Sequence, residues 1–447
     1  GIDWWESVEG MRVELVAPLA VGPTSRFGEI AAVAAACAPA AGRTARGGLL
    51  VALDDFHPER VHLDDRLSPR PPQVATGDRF AAPVVGVVDY GFGNFKLIAT
   101  APWPAVEPSP LAREATELAG DAGHLTVATL NAENLSARDG EAKFASIARV
   151  IVDALGAPAV VALEEVQDDS GEEDDGTVAA DATLARLVAA VEAAGGPRYE
   201  WRQVDPEDGA DGGAPGGNIR VAFLLDPARV RPVDRGRAGA RDAVAVVRDA
   251  DGGPALTLSP GRVAPNDPAF AGDGSGGDAS RKPLALEAEV VGDPSGEPLF
   301  LVAVHFRSKG GDDPLFGAVQ PPRLASEGQR TAQAEAVAGL VREILAADPA
   351  ARIAVLGDFN DFSFRPPLAA LAGAGLVDLV ERLPEADRYT YVYEGNSQVL
   401  DHLLVSPALA AAATGVDAVH LHADFPAGRR ASDHDPLVAR FRVGGEE

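Results

Sequence analysis

Apolar residues along the chain change period near residue 124. Before that point they come in short runs broken by Gly and Pro: Met11–Val16, Leu49–Leu53, Val84–Tyr90 and Phe95–Ala99. Several short strands at such spacing predict a small all-β barrel or sandwich over residues 1–104. The alanine-rich stretch Ala31–Ala41 fits helix or loop equally well, and Ala105 to Gly123, rich in Pro, Glu and Ala, predicts a linker. From His124 to the end, strand patterns alternate with helical ones. Leu125–Leu130 and the continuous apolar run Ala159–Leu163 predict strands, the second buried on both faces. Between them, Phe144, Ile147, Ala148, Ile151 and Leu155 recur on one face of a predicted helix near Glu141–Leu155, stopped by Gly156. A second helix is predicted from Ser326, which forms a capping box with Gln329, and carries Val337, Leu340, Val341, Ile344 and Leu345 as its stripe. Further strands are predicted at Ile353–Leu356, Tyr389–Tyr393, Val399–Val405 and Leu437–Val443. Alternation of this kind predicts an α/β (α+β) domain over 124–447 with helices covering sheet faces. Two Gly/Asp-rich stretches, Asp205–Gly217 and Asn266–Asp278, predict long loops inside it.

The 447 residues are 46% hydrophobic, enough to bury a core in each part and too many for a disordered chain. Lys and Arg number 39 against 67 Asp and Glu, so the formal charge is −28. A field of that sign repels nucleic acid and anionic membrane, so any polyanionic substrate needs a local basic patch or a bound cation. Cys37 is the one cysteine, which excludes an internal disulfide. No run reaches the roughly 18 apolar residues of a membrane helix; Ile147–Val166 is broken by Arg149, Asp153 and Pro158. The chain opens at Gly1 with Met11 as its one methionine, which reads as a processed fragment and leaves export open.

The polar residues sit where the apolar strands stop. Asn131 ends one strand, Glu164-Glu165 another and His305 a third. Asp358 and Asn360 follow Ile353–Leu356, Asp401-His402 interrupts an apolar run, and Ser432-Asp433-His434-Asp435 precedes the last strand. Any one of these alone reads as a turn, a helix cap or a core histidine. Their joint occurrence at strand ends, where covered sheets place ligand sites, points to one crevice. Oxygen-rich donors of this kind suit Mg²⁺ or Mn²⁺, with Ca²⁺ as a further candidate, and histidines beside carboxylates supply a titratable acid or base. These are the parts needed to hydrolyse a phosphoester.

Five motifs, in order, give the chain a resemblance to the endonuclease/exonuclease/phosphatase superfamily, the DNase I-like group: Thr129-Leu130-Asn131, Leu163-Glu164-Glu165-Val166, Val304-His305-Phe306-Arg307-Ser308-Lys309, Leu356-Gly357-Asp358-Phe359-Asn360, and the closing pair Leu400-Asp401-His402 with Ser432-Asp433-His434-Asp435-Pro436. The resemblance implies a four-layer α/β/β/α sandwich. It implies Asn131, Glu165 and Asp433 at a divalent cation, and His434 oriented by Asp401 as base or phosphate stabiliser. It further implies Asp358 and Asn360 positioning the attacking water, and His305 stabilising the pentacovalent state; which of Asp358 and His434 takes the proton stays open. The stretch Ser308–Gly317 with Arg323, Arg330 and Gln333, and Gly216-Gly217-Asn218-Ile219-Arg220, is similar to the bacterial, often secreted, nuclease branch. Glu9-Gly10-Met11 and Val21–Glu29 resemble the small OB-like domain of extracellular nucleases, which implies an extracellular setting.

The chain departs from the family at Glu164, where many relatives carry Gln; as a lone extra acid it is expected to face solvent. Asp168–Asp175 is expected to be a solvated acidic loop, since it lacks EF-hand spacing. The leading function is a cation-dependent phosphodiesterase cutting DNA or RNA, with Arg220, Arg307, Lys309, Arg323 and Arg330 as the local positive groove and Trp4, Trp5, Phe92 and Phe95 as candidate base-stacking residues. A phosphomonoesterase or lipid phosphodiesterase keeps the chemistry and changes the substrate. A non-catalytic binding module is the reading from a different class. No membrane association and no obligate protein partner is implied.

Overall fold

A computed structural model describes residues 1–37, 42–271 and 279–444. Two sheets stand face to face at its centre. The first orders strands Glu200–Arg202, Arg220–Leu225, Val160–Val166, His124–Leu135, Leu437–Arg442 and Ala413–Ala418. The second orders Val230–Pro232, Leu284–Val290, Leu299–His305, Arg352–Asp358, Asp401–Val405 and Val377–Asp378, with Gly261–Arg262 paired outside that path. Side chains alternate across each strand, so every other residue enters the space between the sheets. Leu125, Val127, Val160, Ala162 and Phe223 meet Leu286, Leu301, Ala303, Leu356 and Leu403 there. The opposite faces are equally apolar because helices cover them. Helices Glu141–Arg149 and Asp181–Ala193 bury Phe144, Ile147, Leu184 and Leu187 against Leu130, Val161 and Leu163. On the far side, helices Glu327–Ala347 and Pro366–Gly373 bury Val337, Val341, Leu368 and Leu371 against Phe300, Val302 and Val355. The layers therefore run α/β/β/α. Burial on both faces explains why these strands read as unbroken apolar runs.

Among the described residues, the amino-terminal part is all-β apart from the short helix Ile2–Ser7 and a 3₁₀ turn. Eight of its strands form one path: Arg12–Leu15, Val84–Gly91, Asn94–Ala99, Val61–Asp64, Ile30–Ala34, Pro18–Ala20, Arg79–Phe80 and Val106–Glu107. The alanine-rich stretch is thus strand at Ile30–Ala34 and a short 3₁₀ turn at Ala35–Cys37, while residues 38–41 lie outside the described residues. Ala31, Ala32 and Val33 are buried, and that burial outweighs alanine's helix preference. Val106–Glu107, inside the stretch expected to be linker, pairs with Arg79–Phe80.

The two parts are joined by pairing as well as packing. Leu49–Leu50 runs parallel to Asn396–Gln398, itself paired with Tyr391–Tyr393. Phe316 of the second part inserts among Trp5, Val61, Val88 and Phe95 of the first, and the Tyr90 hydroxyl donates to the Phe316 carbonyl at 3.1 Å. The capping box expected at Ser326 does not form. The Ser326 hydroxyl donates instead to Asp312 at 2.7 Å, and the Gln329 amide donates to the Ala269 carbonyl at 2.8 Å. Of the expected loop at residues 266–278, Pro268–Ala271 is a turn of helix and residues 272–278 lie outside the described residues. No helix among the described residues is long and apolar enough to cross a membrane.

Candidate active site

The site is the polar end of the inter-sheet core. His305, Asp358 and Asp401 stand side by side in register at the tips of three adjacent strands. Each continues an inward row: Leu301 and Ala303 lead to His305, Ala354 and Leu356 to Asp358, and Val405 and Leu403 to Asp401. The same parity on the facing sheet brings up Asn131 after Val127, and Glu164 after Val160 and Ala162. Period-two alternation therefore ends five apolar rows in one polar cap.

Irregular backbone aims the remaining groups. Pairing between strands His124–Leu135 and Val160–Val166 shifts register after Asn131, and Glu133, Asn134 and Glu165 all adopt left-handed φ of 47°, 54° and 57°. Such a bulge breaks the alternation, so Glu164 stays in the core while Glu165 emerges into the cleft. The Asn131 side-chain amide donates to Glu165 Oε1 at 3.0 Å and the Asn134 backbone nitrogen to Oε2 at 3.0 Å. Gly357, at φ 137°, lies so close to the next strand that a Cβ would sit 2.0 Å from the Val304 carbonyl oxygen. No other residue fits there. Asn360, at φ 52°, folds back so that its backbone nitrogen donates to Asp358 Oδ1 at 2.8 Å and its side-chain amide to Oδ2 at 3.1 Å.

These groups surround a cleft of about 500 Å³ whose walls include Glu165, His305, Asp358, Asn360, Asp433 and His434. His434 Nδ1 lies 2.8 Å from Asp401 Oδ2, and its Nε2 faces Asp358 Oδ2 at 3.9 Å. His305 Nε2 approaches the same Asp358 oxygen at 3.4 Å and Glu165 at 4.0 Å. Tyr391 packs its ring 4.6 Å from the His434 ring. Burial raises the Asp358 carboxyl to about 7, partly offset by His434 and reinforced by Asp401. Burial opposes charge on His434, yet Asp401 and Asp358 outweigh it and hold the imidazole well above its ordinary value. His305 goes the other way: burial, then Arg281 and His434, push it far below, leaving it neutral with Nδ1 unpartnered among the described residues. Two imidazoles thus differ in charge because only one has its own carboxylate.

Glu165 and Asp433 offer carboxylates to the same cleft as Asp358. Burial raises the neighbouring Glu133 carboxyl and Asp433 raises it further, with Arg430 and Lys143 opposing. Crowded acids with oxygen donors are the chemistry a hard divalent cation satisfies. Glu165 and Asp433 bring two such carboxylates to the cleft, and Asn131 is hydrogen-bonded to Glu165 while its Oδ1 accepts from the Glu133 backbone nitrogen. A second grouping, Asp358, Asp401 and His434, has its donor atoms within 4.8 Å of one another. The 2.8 Å contact between His434 and Asp401 reads first as an oriented histidine.

The basic groove expected from Arg220, Arg307, Lys309, Arg323 and Arg330 does not assemble. Arg220 and Arg330 are 1% and 0% exposed. They act as internal struts, on Asp205 at 2.8 Å and Asp361 at 2.8 Å. Both are corrections with one cause, the abundance of acids able to draw a guanidinium inward. Lys309 lines the cleft, yet its ammonium sits 2.7 Å from Asp361. Arg323 is exposed on Asp313, and the Arg307 guanidinium contacts Gln329 beside the cleft. Glu164 is a further correction: it is fully buried, with Thr129 Oγ1 donating to it at 2.7 Å, and burial raises its carboxyl well above the usual range. Its parity with Ala162 sends it inward. Asp168, expected to be solvated, is buried and accepts from Ser170, Gly171 and Asn218.

Residues 128–434 match the family model described as the Endonuclease/Exonuclease/phosphatase family. The chain belongs to this family. It is a phosphoric ester hydrolase, in a family whose enzymes typically use divalent cations. Residues 1–108 match a family described only as a domain of unknown function. No curated protein matches the chain. Among solved structures, it is similar to an endonuclease/exonuclease/phosphatase family protein from Bacteroides thetaiotaomicron, at 17% identity over 72% of this chain and 95% of that one, TM-score 0.43. D. rerio TDP2 complexed with single strand DNA product shares 18% identity over 71% of this chain and 98% of that one, TM-score 0.40. The human Nocturnin catalytic domain shares 16% over 74% and 97%, TM-score 0.42.

Sequence reasoning missed two sets of residues in this family member. Arg281 is buried beside the site, donating to the Phe306 carbonyl at 2.6 Å, and nothing in its sequence setting marks it. Arg113, Arg149, Arg429 and Arg430 line a second concavity of about 570 Å³, outnumbering the acids Glu114 and Asp153 in its walls. Among the described residues none of the four makes an ion pair, although acids outnumber bases across the chain. Arg113 and Arg429 both lie over the Phe425 ring, at 4.6 Å and 5.5 Å. Burial and the adjoining Arg429 lower the Arg113 guanidinium. The concavity adjoins the cleft: burial and Asp433 raise the Tyr391 phenol while Arg430 opposes them.

Proposed function

We propose that this family member is a nuclease hydrolysing DNA or RNA phosphodiesters, with the cleft as its active site. The observation that carries the nucleic-acid reading is the unpaired arginine concavity beside the cleft. It supplies the local positive surface that a net charge of −28 denies the molecule as a whole. In this reading Asn131, Glu165 and Asp433 hold the cation, which when bound neutralises phosphate oxygens and steadies the leaving oxygen. Asp358 takes the proton of the attacking water, because its carboxyl is raised into the neutral range while His434 already carries its proton. Asn360 fixes the Asp358 carboxylate through two hydrogen bonds. The His434 imidazolium, aligned by Asp401, faces the charge that grows on the phosphoryl oxygens, and the neutral His305 adds a donor from the other side. Water adds to phosphorus, its proton passes to Asp358, and the bond to the leaving oxygen breaks.

Incubation with plasmid and, separately, with a small chromogenic phosphodiester in Mg²⁺ or Mn²⁺ tests the substrate class. The nuclease reading expects both to be cleaved. Intact plasmid beside a hydrolysed small ester transfers the site to the phosphomonoesterase or lipid-phosphodiesterase alternatives.

A further inference from the structure

The cleft has a wall that the catalytic part does not make. Phe56 and Phe92 of the amino-terminal part line it together with Tyr391, Tyr393 and the catalytic groups. Phe92 is the odd one. It is 92% exposed, so burial does not account for an aromatic there. Neither does the backbone. Phe92 and Gly93 form the two-residue turn between strands Val84–Gly91 and Asn94–Ala99, with φ of 53° and 82°. Turns with both central residues left-handed favour Asn-Gly, and a bulky side chain at the first position is strained. A residue disfavoured by its turn and rewarded within the fold by little beyond one ammonium over its ring is one whose reason lies largely outside the fold.

The turn is also held in place. A Cβ on Gly93 would lie 2.4 Å from Pro314 of the second part, so the hairpin tip rests directly on the cleft loop. Lys96, buried and anchored by Glu29 and Asp64, sets its ammonium 5.0 Å from the Phe92 ring centroid. Tyr393, 51% exposed, lines the same cleft. Around these rings the wall carries Asp312, Asp313 and Glu394 beside Lys309 and Arg365, with Asp313 paired to Arg323. A duplex keeps its base faces stacked inside, so an unpaired base is the group whose plane the ring can meet.

We infer that Phe92 is a base-stacking residue through which the amino-terminal part makes the enzyme selective for single-stranded nucleic acid. This rests on the nuclease reading and deepens it. The test compares Phe92→Asn with wild type on an oligothymidylate, on an abasic oligomer of the same length and on a duplex. Asn suits the turn, so the variant is expected to melt no lower than wild type. It is expected to raise KM about tenfold on the oligothymidylate, within the range of one base stacked on an aromatic side chain. The abasic oligomer and the duplex are expected to be unaffected, and Phe92→Trp is expected to restore the preference. Equal effects on all three substrates, no effect on any, or a lower melting temperature would overturn the inference. Wild-type protein that cleaves none of the oligomers yet hydrolyses a small chromogenic diester would overturn the nuclease reading itself, and that outcome is read without any variant.

Discussion

At the scale of single residues, environment assigns different states to chemically identical groups. His305 and His434 share a cleft, but only His434 has Asp401 at 2.8 Å, so one imidazole stays neutral and the other is charged. Asp358 faces both, with Asp401, Glu165 and Arg281 nearby, and burial raises it from 3.8 to about 7. The folded chain then binds this proton more tightly than the unfolded chain, so stability falls as pH rises from about 4 toward about 7. In EDTA, Asp358→Asn is therefore expected to melt above wild type at neutral pH, with the difference shrinking as pH approaches 4 and hydrolysis lost throughout. A variant melting below wild type at neutral pH would contradict the burial account. For hydrolysis by the wild type, the acid limb of kcat/KM is expected at or below pH about 7, because protonated Asp358 cannot accept from water.

At the scale of elements, strand parity and one bulge do most of the positioning. The motifs at Asn131, His305 and Asp358 were legible because each closes an apolar run, and that at Asp401 because it interrupts one. Glu164 was misread because its parity with Ala162 matters only once two sheets face each other. Strand Ile30–Ala34 was missed because alanine reads as helix until tertiary burial decides, and helix Asp181–Ala193 because its apolar stripe lies among further alanines. The groove arginines could not be sorted because ion pairing with distant acids leaves no local pattern. Gly357→Ala is expected to cost about 3 kcal/mol or more, since the Cβ would lie 2.0 Å from backbone oxygen that cannot yield. Urea denaturation checks this, and a shift under about 1 kcal/mol would contradict the close approach. In the amino-terminal sheet, His62, and Lys96 after it, pull Glu29 down to about 2 against the opposing effect of burial. A depressed carboxyl adds stability that is full above about 4.5 and is lost as pH falls toward 2. Glu29→Gln is expected to flatten the acid side of the stability curve, measured by melting temperature against pH.

At the scale of the whole molecule, an acidic protein handles a polyanion by confining positive charge to one place. Arg113, Arg149, Arg429 and Arg430 are that place in this account. Arg113→Ala with Arg429→Ala is expected to raise KM for a polynucleotide and reduce the salt dependence of binding by about one unit of log–log slope per arginine, leaving a small diester untouched. The central claim remains that distant strand tips build one hydrolytic centre. Its most direct test is nicking of supercoiled plasmid in Mg²⁺ by wild type, by Asp358→Ala, by His434→Ala, and by wild type with EDTA. Conversion is expected from wild type in Mg²⁺ alone, with each variant slowed at least about a hundredfold. Conversion at wild-type rates by both variants, or undiminished conversion in EDTA, would contradict it.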